Sequence, residues 1–521
     1  MELRAFALAA LATVACGDDV PATHDAAPGI DMRPMIDADE GAVPRAETVP
    51  CRYDVPAQLG LNEGSDYACG DLIVYEDREA RVRTIKVHFV KFESASTSPN
   101  ATIYLDGGPG GDGQNILYYA AFLGAPFLDG LRVDGDFLVI SQRGTARSIP
   151  YLDCQDFACE DFANDYDLPS YNTAANADDV DDLRAVLGYT KLNLYGISYG
   201  SRLGLEVLRR HGGNVRSAVI EGLVPSSIAW PAAIPASFYS ALTGLHASCA
   251  AAAPCGTTFG DLVMKFSAAV VSLNDAPLPM SIQGQPFDLD GYTFAYVVFR
   301  VMYSKSAYVW LPLAISDLAA RRIDRVESYL AAALENLGGG SGISPGLYNS
   351  VVCGEIFNPP DPNAPVTLNA GVPSDIVEMF SGSWESLSER CEFWPRGNLQ
   401  ATLAQPVTSS VRSLVSSGRL DPITPPGFGD IAAATLSDSV VVIHENSGHG
   451  ATLQSTCGLT NLTAFLADPA APHDTNCAAS IATTYILPSA LVATPFSFIR
   501  MKAELRFAPP LPPSIGRRLA R

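Results

Sequence analysis

A β-like run that passes straight into a helix through the pentapeptide GISYG, residues 196–200, restricts the fold of this chain more than any other feature. Residues 191–195 (KLNLY) predict a strand, and SRLGLEVLRRH after the pentapeptide predicts a helix. In that helix Leu203 and Val207 stand four apart, Arg209 and Arg210 occupy the last turn, and Gly212-Gly213 ends it. A Gly-x-Ser-x-Gly turn at such a junction is a nucleophile elbow, in which small flanking residues allow a sharp bend that lifts a serine hydroxyl over the rim of a sheet. Around it, helical spacing at Val180, Leu183 and Leu187 precedes the strand, and residues 215–220 (VRSAVI) predict another strand after the helix. Alternating strand and helix is the signature of a mostly parallel sheet flanked by helices.

The same five-residue pattern occurs again as GISPG, residues 342–346. Two requirements separate the candidates. The residue after the serine must lend a backbone N–H to the developing oxyanion, which Tyr199 has and Pro345 lacks. The serine must also follow a strand, whereas Ser344 lies in a Gly/Ser/Pro stretch (338–346) that reads as a flexible connection. Ser198 is therefore the candidate nucleophile.

A serine hydroxyl needs a base and an orienting acid. In sheets carrying this elbow, the acid and then the histidine follow on loops at the C-terminal ends of later strands. Strand 411–416 (VRSLVS) leads into SGRLDPITPP and Asp421; strand 439–443 (SVVVI) leads into HENSGHG and His449. Helices are expected near 426–435 and 453–467. HENSGH is not a zinc motif: its histidines are five apart rather than four, and Gly448 intervenes. No metal or cofactor is expected. The second oxyanion donor is expected from the Gly-rich loop LDGGPGGDG (105–113), which follows the β-rich run 101–105; Gly107 or Gly108 is the candidate. Further strands are expected at 71–76, 83–92 and 136–140.

The formal charge of −22 argues against nucleic acid as a partner and suits a soluble surface that could attract cationic ligands. The N-terminus has a short apolar run (5–15) like the core of a signal peptide, ending at Thr13-Val14-Ala15-Cys16, which resembles a lipobox with Cys16 as the acylated residue; plain secretory cleavage is the alternative. The only membrane association expected is through such an anchor. Without Cys16 ten cysteines remain, an even number that suggests structural disulfides and an oxidising compartment. Connectivity is open in the sequence, but neighbouring pairs close only short loops: Cys51 with Cys69, Cys154 with Cys159, Cys249 with Cys255, Cys353 with Cys391 and Cys457 with Cys477. The expected organisation is a signal peptide and lipobox (1–16), a disordered acidic tether (17–47), a first core part (48–224), a helical lid (225–405), a second core part (406–477) and a C-terminal extension (478–521).

GGPG at 107–110, QRGTARS at 142–148, YGISYGSRLG at 195–204, and GRLDPITPP followed by SGHG resemble the tripeptidyl-aminopeptidase branch of the prolyl-iminopeptidase-type α/β-hydrolases. The resemblance runs from Cys51 to Cys477 and includes Cys353, CEFWP (391–395) and the two cysteines flanking the last helix. It implies an α/β-hydrolase fold with an inserted lid and an exported serine exopeptidase acting on peptides with free N-termini, with Ser198, Asp421 and His449 as triad. Two positions depart from the family: Asp106 where His or Asn is usual, and Ser141 where Asp is usual. An aminopeptidase needs an anion to hold the substrate ammonium, since a desolvated charge must be paired; Glu355, in the lid, is the candidate. A small-molecule esterase or amidase and a non-catalytic envelope binding protein are the alternatives, because this fold hosts many functions.

Overall fold

Among the described residues nine strands form one sheet in the order β1-β2-β3-β5-β4-β6-β7-β10-β11. The computed structural model describes residues 41–154, 162–282, 284–337, 342–398 and 401–490. The strands are β1 (Arg45–Thr48), β2 (Tyr67–Tyr75), β3 (Thr84–Phe92), β4 (Ala101–Leu105), β5 (Asp136–Ile140), β6 (Leu192–Ile197), β7 (Val215–Glu221), β8 (Leu278–Ile282), β9 (Gln285–Leu289), β10 (Ser413–Gly418) and β11 (Ser439–His444). From β5 through β4, β6, β7 and β10 to β11 every pairing is parallel, while β1, β2 and β3 form an antiparallel edge.

The central strands are apolar on both faces because both faces are covered. In β5, Leu138 and Ile140 pack towards one side with Val180 and Leu183 of helix α2 and Leu203 and Val207 of α3. Phe137 and Val139 pack towards the other with Ile116 and Leu117 of α1 and Leu462 and Phe465 of α10. The helices that build the two faces and the insertion around the site include α1 (Gln114–Leu123), α2 (Thr173–Val186), α3 (Tyr199–His211), α4 (Ile234–Ala251), α5 (Leu262–Asp275), α6 (Gly291–Val301), α7 (Pro345–Val351), α8 (Ser374–Phe393), α9 (Pro426–Ala433) and α10 (Thr456–Ala467). This is the α/β-hydrolase fold expected.

Between β7 and β10 lies the mainly helical insertion. Its first part has an apolar core of its own, in which Phe238 of α4, Phe266 of α5, Phe299 of α6 and Phe380 of α8 pack together. Its second part, with Leu347 and Val351 of α7 and Leu387 of α8, joins the core of the sheet.

Several expectations need correction. The tether expected to reach residue 47 overlaps β1, whose Arg45–Thr48 backbone pairs with β2; an edge strand of RAET has no apolar alternation to reveal it. The insertion also contains the β8–β9 hairpin, whose prolines at 279 and 286 masked its strand character. The C-terminal extension, unplaced in the sequence, begins by docking on the insertion: Tyr485 is buried in its core and Ile486 N–H donates to the Val309 carbonyl at 3.0 Å.

Among the described residues four disulfides have both partners, Cys51–Cys69, Cys249–Cys255, Cys353–Cys391 and Cys457–Cys477. Such bonds persist in oxidising environments and point to an extracytoplasmic protein. Cys16, and Cys159 as partner of Cys154, lie outside the described residues. Among the described residues no helix is long and apolar enough to cross a membrane.

Candidate active site

The parallel register brings the C-terminal ends of β4, β6, β10 and β11 to one rim, so the loops carrying Asp106–Gly108, Ser198, Asp421 and His449 share one edge of the sheet. Ser198 sits between β6 and α3 at φ 60° and ψ −126°, a conformation that costs a non-glycine residue of the order of 1–3 kcal/mol. Backbone bonds on both sides hold it there: Ser198 N–H donates to the Glu221 carbonyl and Ser201 N–H to the Ser198 carbonyl, each at 2.9 Å. The following glycine is a steric requirement, because a Cβ on Gly200 would lie 1.9 Å from the Leu105 carbonyl oxygen.

Asp421 is fully buried after β10 and fixed by its own turn. Its Oδ1 accepts the N–H groups of Ile423 (3.0 Å) and Thr424 (2.9 Å), and its Oδ2 accepts the Thr424 hydroxyl at 2.7 Å. The same Oδ2 is 2.7 Å from His449 Nδ1. With Nδ1–H donating to the carboxylate, Nε2 is left as the proton acceptor. Burial alone would lower the His449 pKa; the charge and hydrogen bond of Asp421, with a contribution from Glu221, reverse this and leave it above its ordinary value. The imidazole is also held from above. His449 N–H donates to the Tyr303 carbonyl of the insertion at 3.0 Å, and the Tyr303 ring meets the imidazole edge-on at 5.1 Å.

Ser198 and His449 line one small cavity of about 50 Å³, together with Asp106, Gly107, Gly108 and Tyr119. The structure thus brings together the hydroxyl, imidazole and carboxylate named from the sequence. The oxyanion candidates separate. Gly107 N–H is taken by Asp106 Oδ1 at 2.9 Å, so that choice is corrected: the N–H groups of Gly108 and Tyr199 are the ones without a protein acceptor among the described residues. Tyr199 opens α3, where the first N–H groups have no partner within the helix.

Glu355 also needs correction. Its Oε2 pairs with the Arg202 guanidinium at 3.1 Å and its Oε1 accepts Thr173 N–H at 2.8 Å, so its charge is already compensated. It lines a separate cavity of about 320 Å³ that Ser198 does not border. Its position among lid residues was legible, but the Arg202 opposite it, far away in the chain, was not.

Ser344 is not on a flexible connection. It is buried as N-cap of α7, its hydroxyl 2.7 Å from the Gly144 carbonyl and 2.9 Å from that of Leu152. Its N–H donates to the Gly110 carbonyl at 2.8 Å, so the rival motif braces the GGPG loop. The family-pattern Arg143 is likewise internal, bound to Asp179 through two 2.7 Å contacts, and Ser141 bonds the Tyr53 hydroxyl at 2.8 Å.

Sequence reasoning missed Glu221. It is buried, interacts electrostatically with His449, accepts from Thr452 N–H (2.6 Å) and the Tyr195 hydroxyl (3.3 Å), and burial pushes its pKa up to about 7. An acid at the end of a predicted strand was the available signal.

A family model described as "alpha/beta hydrolase fold" matches residues 103–251, and one described as "TAP-like protein" matches residues 377–477. The first spans Ser198 and the GGPG loop; the second spans Asp421 and His449. No curated protein matches the sequence. Similar solved structures include a serine hydrolase from the polyaromatic-hydrocarbon-degrading bacterium Cycloclasticus zankles, 13% identical, covering 77% of this chain and 98% of that one, TM-score 0.35. An esterase from Rhodococcus is 15% identical, covering 73% and 95%, TM-score 0.33. A proline iminopeptidase from Mycobacterium smegmatis is 14% identical, covering 74% and 93%, TM-score 0.31.

Proposed function

For this chain, a TAP-like member of the α/β-hydrolase family, we propose the activity of an exported serine exopeptidase that hydrolyses peptides from a free N-terminus. Ser198 Oγ attacks the acyl carbon while His449 Nε2 takes its proton; the carbon–nitrogen bond then breaks as that proton passes to the leaving amine. Water, deprotonated by the same nitrogen, attacks the acyl-enzyme and releases the acid, returning the hydrogen to Ser198. Asp421 holds the ring tautomer and stabilises the imidazolium. The N–H groups of Tyr199 and Gly108 stabilise the oxyanion, a contribution of roughly 2.7–4 kcal/mol per donor.

The observation that carries this reading is the 2.7 Å Asp421–His449 bond, with His449 lining the same cavity as Ser198. Export is supported by the four disulfides, and Cys16 is the proposed acylation site of an envelope lipoprotein.

The test is a fluorophosphonate probe together with a pair of peptide anilides, one with a free amine and one N-acetylated. The probe should label wild-type protein and not Ser198→Ala, and the free-amine anilide should be cleaved faster. Equal rates on both would replace the exopeptidase by a general esterase or amidase, and absence of labelling would leave a binding protein.

A further inference from the structure

With Glu355 paired to Arg202, the proposed exopeptidase has no assigned partner for the substrate ammonium. Among the groups lining the cavity beside Ser198, one carboxylate stands out. Asp106 is 7% exposed, and its three hydrogen-bond donors are all neutral: the Tyr104 hydroxyl at 2.9 Å, Gly107 N–H at 2.9 Å and Asn115 Nδ2 at 2.8 Å. Among the described residues it forms no ion pair. The nearby Asp112, by contrast, is paired with Arg147. Burial pushes the Asp106 pKa up to about 7, as expected for a carboxyl with no cation to favour its charged form.

Its distance from the chemistry is short. Asp106 holds the N–H of Gly107, and a Cβ built on Gly107 would lie 2.8 Å from Ser198 Cβ and 3.3 Å from its Oγ. An anion here has two opposite effects. It works against the negative charge that develops on a substrate carbonyl, and it attracts a positive charge on the acyl group. An α-ammonium lies two bonds from the carbonyl carbon, within reach of this cavity. The ammonium of a three-residue acyl group lies roughly 7 Å further along an extended chain.

Resting on the exopeptidase reading, we propose that Asp106 is the specificity-determining carboxylate of this site, pairing with a cationic ammonium next to the scissile bond and disfavouring neutral acyl groups. The isosteric Asp106→Asn variant retains a side-chain acceptor and removes the charge, so it separates this role from a purely structural one.

The experiment measures kcat/KM for alanine anilide and N-acetylalanine anilide in wild type, Asp106→Asn and Ser198→Ala, with fluorophosphonate labelling to count assembled sites. The wild-type preference for the free amine should fall by roughly 10- to 100-fold in Asp106→Asn, the range set by loss of a hydrogen bond between charged groups. A preference that survives in a labelled Asp106→Asn overturns the assignment and leaves the exopeptidase standing. Activity in Ser198→Ala, or no free-amine preference in wild type, overturns the exopeptidase reading and this assignment with it. Should Asp106→Asn fail to fold, the wild-type pH profile on the acetylated anilide decides, since that substrate has no group titrating in the range. Tyr104 and Asp112 act on Asp106 and Asp106 in turn on Tyr53, Arg147 pairs with Asp112, Tyr119 and His449 line the same cavity, and Glu221 acts on His449. After the His449 rise, kcat/KM should decline as Asp106 ionises around pH 7, in wild type and equally in Glu221→Gln, which lacks the other carboxyl of that range; a plateau from there to about pH 9 in Glu221→Gln overturns the assignment.

Discussion

GISYG at 196–200 and GISPG at 342–346 differ in one residue and have opposite fates. The first bends a strand into a helix, leaving Ser198 half-buried at positive φ and facing a cavity. The second caps a short helix, and its serine is buried at 1% exposure between two carbonyls. Tyr in one and Pro in the other account for part of the contrast, because Pro at the first position of a helix suits a cap and removes an oxyanion donor. The rest comes from outside the pentapeptide: β6 enters one, while the GGPG loop receives the other. The two are also connected, since Ser344 N–H holds the Gly110 carbonyl in that loop. One motif is proposed to react, and its near-copy fixes the loop across from it.

The comparison breaks first at the serines themselves. Ser198→Ala should lower turnover by roughly 10⁶-fold with folding intact, measured by steady-state kinetics beside thermal melting. Comparable loss in Ser344→Ala at unchanged thermal stability would reverse the assignment. Asp421→Asn should cost roughly 10⁴ in kcat, because the buried amide can stabilise the wrong tautomer of His449. Gly110→Ala tests the link between the motifs. At φ +91° its new Cβ would meet the Ser344 carbonyl oxygen at 2.5 Å, so a loss of about 2–3 kcal/mol of stability is expected by denaturant unfolding, with kcat falling as the loop shifts. Ser344→Ala itself should cost about 1 kcal/mol through the lost hydroxyl hydrogen bond, since the Gly144 and Leu152 carbonyls keep the N–H groups of Leu152 and Gly346, read as a lower Tm. The smallest effect is on pH. Since His449 is raised and must be neutral to act, the acid limb of kcat/KM should lie above its ordinary value; Glu221→Gln removes an anion favouring the imidazolium, so the limb should move to lower pH.

The elbow, the acid and the histidine were legible because each lies just beyond a strand whose apolar run announces it, and parallel topology then brings such positions to one rim. Strands with little apolar content were not legible: β1 has only Ala46 among its four residues, and β8 and β9 carry prolines. Side-chain pairings between distant segments were also hidden. Glu355 reads as a free lid carboxylate until Arg202 is placed against it, and Asp106 reads as a departure from a pattern until its neutral surroundings are seen. Composition and spacing report which groups a loop carries; they do not report which of them finds a counter-charge.

The backbone bond from His449 to Tyr303 ties the rim that carries the proposed triad to the inserted helices, and Gln454 strengthens the tie by donating to the Tyr303 carbonyl at 2.8 Å while accepting Gly448 N–H at 3.0 Å. A shortened chain reduced to the sheet and its flanking helices would therefore lose an anchor of its base along with the lid. On heating, inactivation should accompany melting of the inserted helices even while the sheet persists.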